Sequence, residues 1–277
     1  MPTPTNFLFI GLGGQGARSI ADFKKVMQER GGDTELIEEE GGKFQFISID
    51  SSPDQWNDKS NWRYFGNDIS LNENQKIKLD AVQLNEIDEL KILPQVGPWL
   101  GDTNTMHQFV QGGAEQEGGR GANQRRRFGR LLFSKGADNV RLDIQNRIGE
   151  LTQGADNSCW IHVFASLGGG TGSGGIVDLV TMLRTSYPNP DEFPIMLHIY
   201  ATSSDELGAG VGYFFQNQYA AMRDLNALLT SKFKPHLPGS EGGGQTFEGT
   251  KPCNQVLIST NLNSENQKLS LNTQIRI

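Results

Sequence analysis

The stretch Ser166–Gly175, SLGGGTGSGG, constrains this chain more than any other. It follows CWIHVFA, an apolar run with the character of a buried strand, and precedes IVDLVTMLRT, an apolar helix. Glycine inside a regular element costs about 0.5–1 kcal/mol relative to alanine. A linker does not join a buried strand directly to an apolar helix. The stretch therefore reads as a loop whose backbone something approaches closely. Consecutive glycines expose successive N–H groups with no side chain to block an anion. Thr171 and Ser173 add hydroxyl donors, and the following helix directs its positive end at the loop. That is a cradle for phosphates. It lacks the lysine of G-x-x-x-x-G-K-[ST], so it is not a standard P-loop.

The rest of the chain alternates strand and helix signals. FLFIGL (7–12) reads as a buried strand, and GARSIADFKKVMQE (16–29) as an amphipathic helix with Ile20, Phe23 and Val26 on one face. FQFISID (44–50) is a second strand. Residues 51–118 form an irregular, polar insertion with a short helix in LDAVQLNEIDEL. Next come a helix over 122–133, a break at SKGA, and a helix over 138–152. Strands follow at 159–166, 194–202 and 254–260, with a helix at IVDLVTMLRT and another at 213–233. This order predicts an α/β fold, a Rossmann-like and mostly parallel sheet with helices on both faces. Ligands of such sheets bind outside the carboxyl ends of the strands. Here those ends carry GLGGQG, DSS, SLGGGTGSGG and SSDELGAGVG, and GGRGAN opens a helix.

Composition removes several function classes. The 277 residues carry a net charge of −7. That argues against a general nucleic-acid binder, whose affinity comes from neutralising phosphates. No apolar run approaches the roughly 20 residues that span a bilayer, and the N-terminus lacks the basic start of a signal peptide. Cys159 and Cys253 are far apart and read as buried thiols of a cytoplasmic protein. No Cys/His spacing suggests a zinc site.

GLGGQG, Gly11 to Gly16, matches G-x-G-x-x-G between a strand and a helix. One owner of that pattern is a nicotinamide or flavin dinucleotide fold. An NAD- or FAD-dependent oxidoreductase is accordingly the alternative reading. Asp50 closes the second strand as the ribose-binding acid would, but beyond the usual interval of about 20 residues. The histidines are His107, His162, His198 and His236. His162 and His198 lie inside apolar strands and read as core, and no positioned acid–base pair is visible.

GGGTGSG, Gly168 to Gly174, resembles the signature shared by eukaryotic tubulins and the bacterial division protein FtsZ. GLGGQG resembles the first phosphate loop of that superfamily, and GRGAN, Gly119 to Asn123, the loop that contacts the terminal phosphate. Asp50 falls where FtsZ-like proteins carry an aspartate. The chain resembles a divergent bacterial tubulin-like protein, which implies a GTPase-type domain over 1–264. Residues 265–277 would begin a central helix, truncated or absent here together with the second domain. The chain is then either a fragment or a nucleotide-binding half without its activating acidic loop.

The resemblance implies GTP or GDP with Mg2+, and head-to-tail self-association into filaments whose neighbouring subunit completes hydrolysis. Gly11, Gly13, Gly14, Gln15 and Gly16 would contact the α- and β-phosphates. Gly168, Gly169, Gly170, Thr171, Gly172 and Ser173 would hold the β-phosphate side. Gly119, Gly121, Ala122 and Asn123 would serve the γ-phosphate, with Arg120 and Arg130 as candidate phosphate contacts. Arg125, Arg126 and Arg127 read mostly as a solvated face. Arg18 stands where FtsZ has an asparagine. Asp205 or Glu206 would accept from ribose, or form a surface turn. Asn217 lies in the helix after the ribose loop, and Asn261 or Asn263 would read guanine. Asp50 is either the metal's partner, through water, or a turn cap before Ser51. No catalytic residue is assigned.

Overall fold

The apolar runs of the sequence become the strands of one parallel sheet. The computed structural model describes residues 6–29, 43–114, 121–153, 157–201, 212–240, 244–249, 251–260, 262 and 265. The sheet strands are β1 (Asn6–Leu12), β2 (Lys43–Asp50), β3 (Lys76–Lys78), β4 (Trp160–Ser166), β5 (Ile195–Ala201) and β6 (Gln255–Thr260). Their order is β3-β2-β1-β4-β5-β6, and every pairing is parallel. The connection direction reverses at β1, which is where open sheets of this kind leave a crevice. Register brings the strand ends level there: Leu12 lies opposite Ile49 on one side and Ala165 on the other. Gly13, Asp50 and Ser166 thus emerge at one edge.

Four long helices cover the sheet: α1 (Gly13–Glu29), α2 (Arg126–Leu151), α3 (Thr171–Ser186) and α4 (Phe214–Leu229). Side chains alternate across a strand, and β1 divides its residues accordingly. Leu8, Ile10 and Leu12 join the larger core with residues of α2 and α3, such as Phe133, Ile144 and Ile176. Phe9 joins a smaller core with Ala17 and Ile20 of α1. Each fully buried side chain of this size contributes about 1.5–3 kcal/mol relative to exposure. Among the described residues, no helix is long and apolar enough to cross a membrane.

Three expectations are corrected. The break at SKGA does not exist, since Ser134 to Ala137 continue α2. Ser134 and Ala137 are buried, and packing outweighs the cost of about 1 kcal/mol for Gly136. That helix starts at Arg126, not residue 122, because Gly121, Asn123 and Gln124 all have positive φ. Finally, α3 begins at Thr171, so half of the glycine stretch is helix. The reason is close packing on α2. A Cβ on Gly174 would lie 2.5 Å from the Arg126 carbonyl oxygen, and one on Gly175 2.9 Å from the Phe133 ring.

The insertion over 51–118 is more integral than its polarity implied. It supplies β3 at the sheet edge, where Ile49 pairs with Ile77. Trp56, Trp62, Ile69 and Leu71 complete the core on the α1 side, and Leu79, Val82, Ile87 and Leu100 join the other. The short helix foreseen in this segment is Leu84–Lys91. His162 and His198 stack with their ring nitrogens 3.0 Å apart. Burial, with some help from His198, holds His162 down at about 4. Cys159 and Cys253 are buried thiols outside any disulfide.

Candidate functional site

The carboxyl edge of β1, β2 and β4 encloses a cavity of about 410 Å³. Gly13, Gly14, Gln15 and Arg18 line it from the start of α1. Asp50, Ser51 and Ser52 line it after β2, and Ala122 and Asn123 before α2. Gly169, Gly170, Thr171 and Gly172 close it at the start of α3, with Phe214 at the rim. Two helix N-termini therefore open onto one space, and free N–H groups there favour an anion.

The glycines let these loops meet backbone to backbone. Gly13 has φ +74, and a Cβ on it would lie 3.0 Å from the Gly172 nitrogen. A Cβ on Gly170 would lie 2.6 Å from the Ala122 Cβ. A Cβ on Gly169 would meet nothing within 4 Å, so its missing side chain leaves open space at the cavity.

Polar side chains fix the loops to one another. Ser51 Oγ accepts the Ala122 N–H at 2.9 Å and lies 2.7 Å from Thr171 Oγ1. Asp50 Oδ1 accepts the Ser51 N–H at 2.7 Å. Burial pushes the Asp50 carboxyl up to about 6, against hydrogen bonds from the Thr171 hydroxyl and the Ser51 and Ser52 amides. A buried carboxylate of this kind gains from a cation. Among the described residues, no group of three or more His, Cys, Asp or Glu side chains could hold a metal ion. Mg2+ bound mainly through phosphate oxygens and water needs only one or two protein carboxylates, so Asp50 with the Thr171 hydroxyl fits it.

A sequence model of the family described as "Tubulin like" matches residues 8–276. This chain belongs to the tubulin-like family. Among solved structures, CetZ from Methanosaeta thermophila strain DSM 6194 is similar at a TM-score of 0.51 and 15% identity, over 93% of this chain and 46% of that one. CetZ2 from Haloferax volcanii, described as a GTPgS-bound protofilament, is similar at a TM-score of 0.51 and 15% identity, over 98% of this chain and 54% of that one. Both likenesses are likenesses of fold. The tubulin-like chain spans about half the length of each. No curated protein matches it.

Around the carboxyl-edge cavity of this tubulin-like chain, the structure sorts the residues singled out from sequence. Gly13, Gly14, Gln15, Arg18, Asp50, Ala122, Asn123, Gly169, Gly170, Thr171 and Gly172 line the cavity. Gly11 and Gly16 stand behind it. A Cβ on Gly16 would lie 2.5 Å from the Phe164 carbonyl oxygen, so these two set the approach of α1 to the sheet. Gly168 packs under the Phe214 ring, and Gly121 against Ser51. Ser173 is fully buried and donates its hydroxyl to the Gly169 carbonyl, so that hydroxyl is turned away from the cavity. Gly119, Arg120, Asp205, Glu206, Asn261 and Asn263 lie outside the described residues.

Asn217 turns away from the cavity. Its Nδ2 donates to the Gln124 carbonyl at 2.6 Å and the Gly168 carbonyl at 3.1 Å, tying two loops together from behind. The arginines do the same kind of work. Arg130 is buried and bidentate to Asp178 at 2.7 and 2.8 Å, stacked on Trp99, so it is no phosphate contact. Arg126 pairs with Asp224 instead of facing solvent. Ser51 is the residue that sequence reasoning passed over. Its signal was the DSS at a strand end, where a small hydroxyl next to a glycine loop can serve several N–H groups.

Proposed function

We propose that this tubulin-like chain binds GTP or GDP with Mg2+ in the cavity at the carboxyl edge, as the nucleotide half of a cytoplasmic filament protein. The observation that carries the reading is the convergence of Gly13–Gly14 at the start of α1 and Gly169–Thr171 at the start of α3 on one space. Two helix dipoles and their free N–H groups suit a polyphosphate. Ala122 and Asn123 approach from a third side, as a terminal phosphate requires. CetZ2 of Haloferax volcanii, described as a GTPgS-bound protofilament, supports the same nucleotide and the same mode of assembly.

Within this reading the chain binds and orients. Gly13, Gly14, Gly169 and Gly170 bring backbone to the phosphates without a side chain between. Asp50 and the Thr171 hydroxyl hold Mg2+, which offsets phosphate charge when bound. Among the described residues, the cavity's carboxylates are Asp50 and Asp54, and Asp50 is already engaged with Ser51 and Thr171. As the resemblance to tubulin and FtsZ implies, activation of water belongs in this reading to an acidic loop of a neighbouring subunit in a head-to-tail filament. In this reading the 277 residues bind GTP and, without a neighbouring subunit, hydrolyse it slowly.

The test is to identify the nucleotide that co-purifies with the chain, by chromatography and mass spectrometry, and to repeat it with Gly169→Val. GTP or GDP in the native chain, lost in the variant, is the expected result. Bound NAD or FAD, or no measurable GTP affinity by calorimetry, would overturn the reading. Rapid phosphate release with GTP-dependent light scattering would overturn the division of labour between subunits.

A further inference from the structure

Behind the loop Gly121–Arg125 lies a second cavity, about 420 Å³, as large as the first. Its walls are apolar and aromatic, from Met106, Phe109, Phe128, Tyr213 and Ala220. Phe109 and Phe128 meet edge to face with centroids 4.9 Å apart. Arg125 enters this space with its guanidinium 4.5 Å from the Phe109 centroid and 5.8 Å from that of Tyr213. Arg126 and Arg127 are committed elsewhere, to Asp224 and to the Leu100 and Asp102 carbonyls. Among the described residues, Arg125 has ring partners and no carboxylate.

A guanidinium stacked on a ring keeps its in-plane N–H fork free for an anion. No nitrogen of that fork is sealed from water without a partner, so it stands open to an anion arriving from solvent, and a cavity of this size falls in the range of small-molecule sites. We propose that this cavity is a second ligand site, for a flat apolar body carrying one anionic group such as a carboxylate or sulfonate. The body stacks among Phe109, Phe128 and Tyr213, and the anion meets Arg125. Asn217 lines this cavity too, while its carboxamide holds the Gln124 and Gly168 carbonyls. A ligand here therefore bears on the clamp between two loops of the first cavity. This last step rests on the nucleotide reading; the site itself does not.

The probe is 8-anilinonaphthalene-1-sulfonate, titrated by fluorescence into the full 277-residue chain, with neutral N-phenyl-1-naphthylamine beside it. One saturable sulfonate site is expected. Arg125→Leu should weaken the sulfonate by about tenfold or more and leave the neutral probe within about twofold. Ala220→Trp, which fills the cavity, should remove both. Equal sulfonate binding in the native chain and Arg125→Leu would overturn the proposal, as would displacement of the probe by GTP in simple competition. Should Ala220→Trp fail to fold, Arg125→Leu decides alone. Saturating probe should change the dissociation rate of a fluorescent GDP analogue in the native chain but not in Asn217→Ala; an equal rate in the native chain would refute the coupling. A chain that does not bind the GDP analogue at all removes the nucleotide reading and leaves the probe titrations to judge the site.

Discussion

Ser51 Oγ lies 2.7 Å from Thr171 Oγ1, across 120 residues of chain. Ser51 follows β2, and Thr171 opens α3. The same serine oxygen accepts the Ala122 N–H that leads into α2. One buried hydroxyl therefore sets the spacing of three of the loops that line the carboxyl-edge cavity. Ser51→Ala leaves the buried Ala122 N–H without its acceptor while the Thr171 hydroxyl keeps Asp50, a loss of about 1–3 kcal/mol. Urea unfolding should show that loss, and calorimetry a weaker GTP. Unchanged values of both would mean that the hydroxyl does not organise the loops.

Gly169 and Gly170 are neighbours with opposite demands. A side chain on Gly170 runs into Ala122 and the Arg125 amide, whereas one on Gly169 meets open space. Gly170→Val should cost stability on the scale of core overpacking, about 1–3 kcal/mol or more. Gly169→Val should melt like the native chain and yet lose GTP affinity. Thermal melts and a GTP titration on both variants check this, and equal melting temperatures for the two would contradict the geometry.

Asp50 makes apo stability depend on pH. Its folded value of about 6 lies above the ordinary aspartate value of about 3.9. The folded chain thus keeps a proton that the unfolded chain has released. The contribution is complete below about pH 4 and fades as pH rises through about 6. Asp50→Asn removes that dependence, so the variant should gain about 2–3 kcal/mol over the native apo chain at pH 8, and nothing at pH 3.5. Denaturant midpoints at the two pH values measure it; a gain that does not change with pH would show that the carboxyl is not held neutral by burial.

Arg130 and Asp178 form a buried bidentate pair between α2 and α3. Removing one partner strands a charge. Asp178→Ala should cost about 3–5 kcal/mol. The double change Arg130→Met with Asp178→Leu should recover most of that loss. Denaturation of the single and double variants decides, and a double variant as unstable as the single one would show that the pair specifies the packing.

Much of this architecture was legible because buried strands announce themselves. FLFI is wholly apolar, IHVFA and IMLHI are so but for one histidine each, and each became a central strand within a residue or two of its expected ends. The glycine loops were legible as chemistry because phosphate-type recognition needs bare backbone. What stayed hidden depended on contacts between distant segments. Nothing local in SKGA says that Ser134 and Ala137 will be buried, so a helix break was the natural reading. Ser173 looks like a donor until its rotamer is seen turned to Gly169. Asn217 looks like a ligand contact until its two carbonyl partners, 49 and 93 residues away, are known. Lys76 to Lys78 alternates charge with one isoleucine, too little pattern to mark a strand without β2 beside it.

The continuity of α2 has a mechanical side. An unbroken helix of 26 residues is a rod of about 39 Å. Its first residue follows the left-handed turn at Asn123 and Gln124, and its last, Leu151, is buried in the larger core at the far end. A tilt of about 5° at the loop moves that far end by about 3 Å over such a length. A hinge at SKGA would have absorbed the motion. Without one, whatever occupies the cavity beside Asn123 can be felt on the opposite edge of the molecule as a displacement.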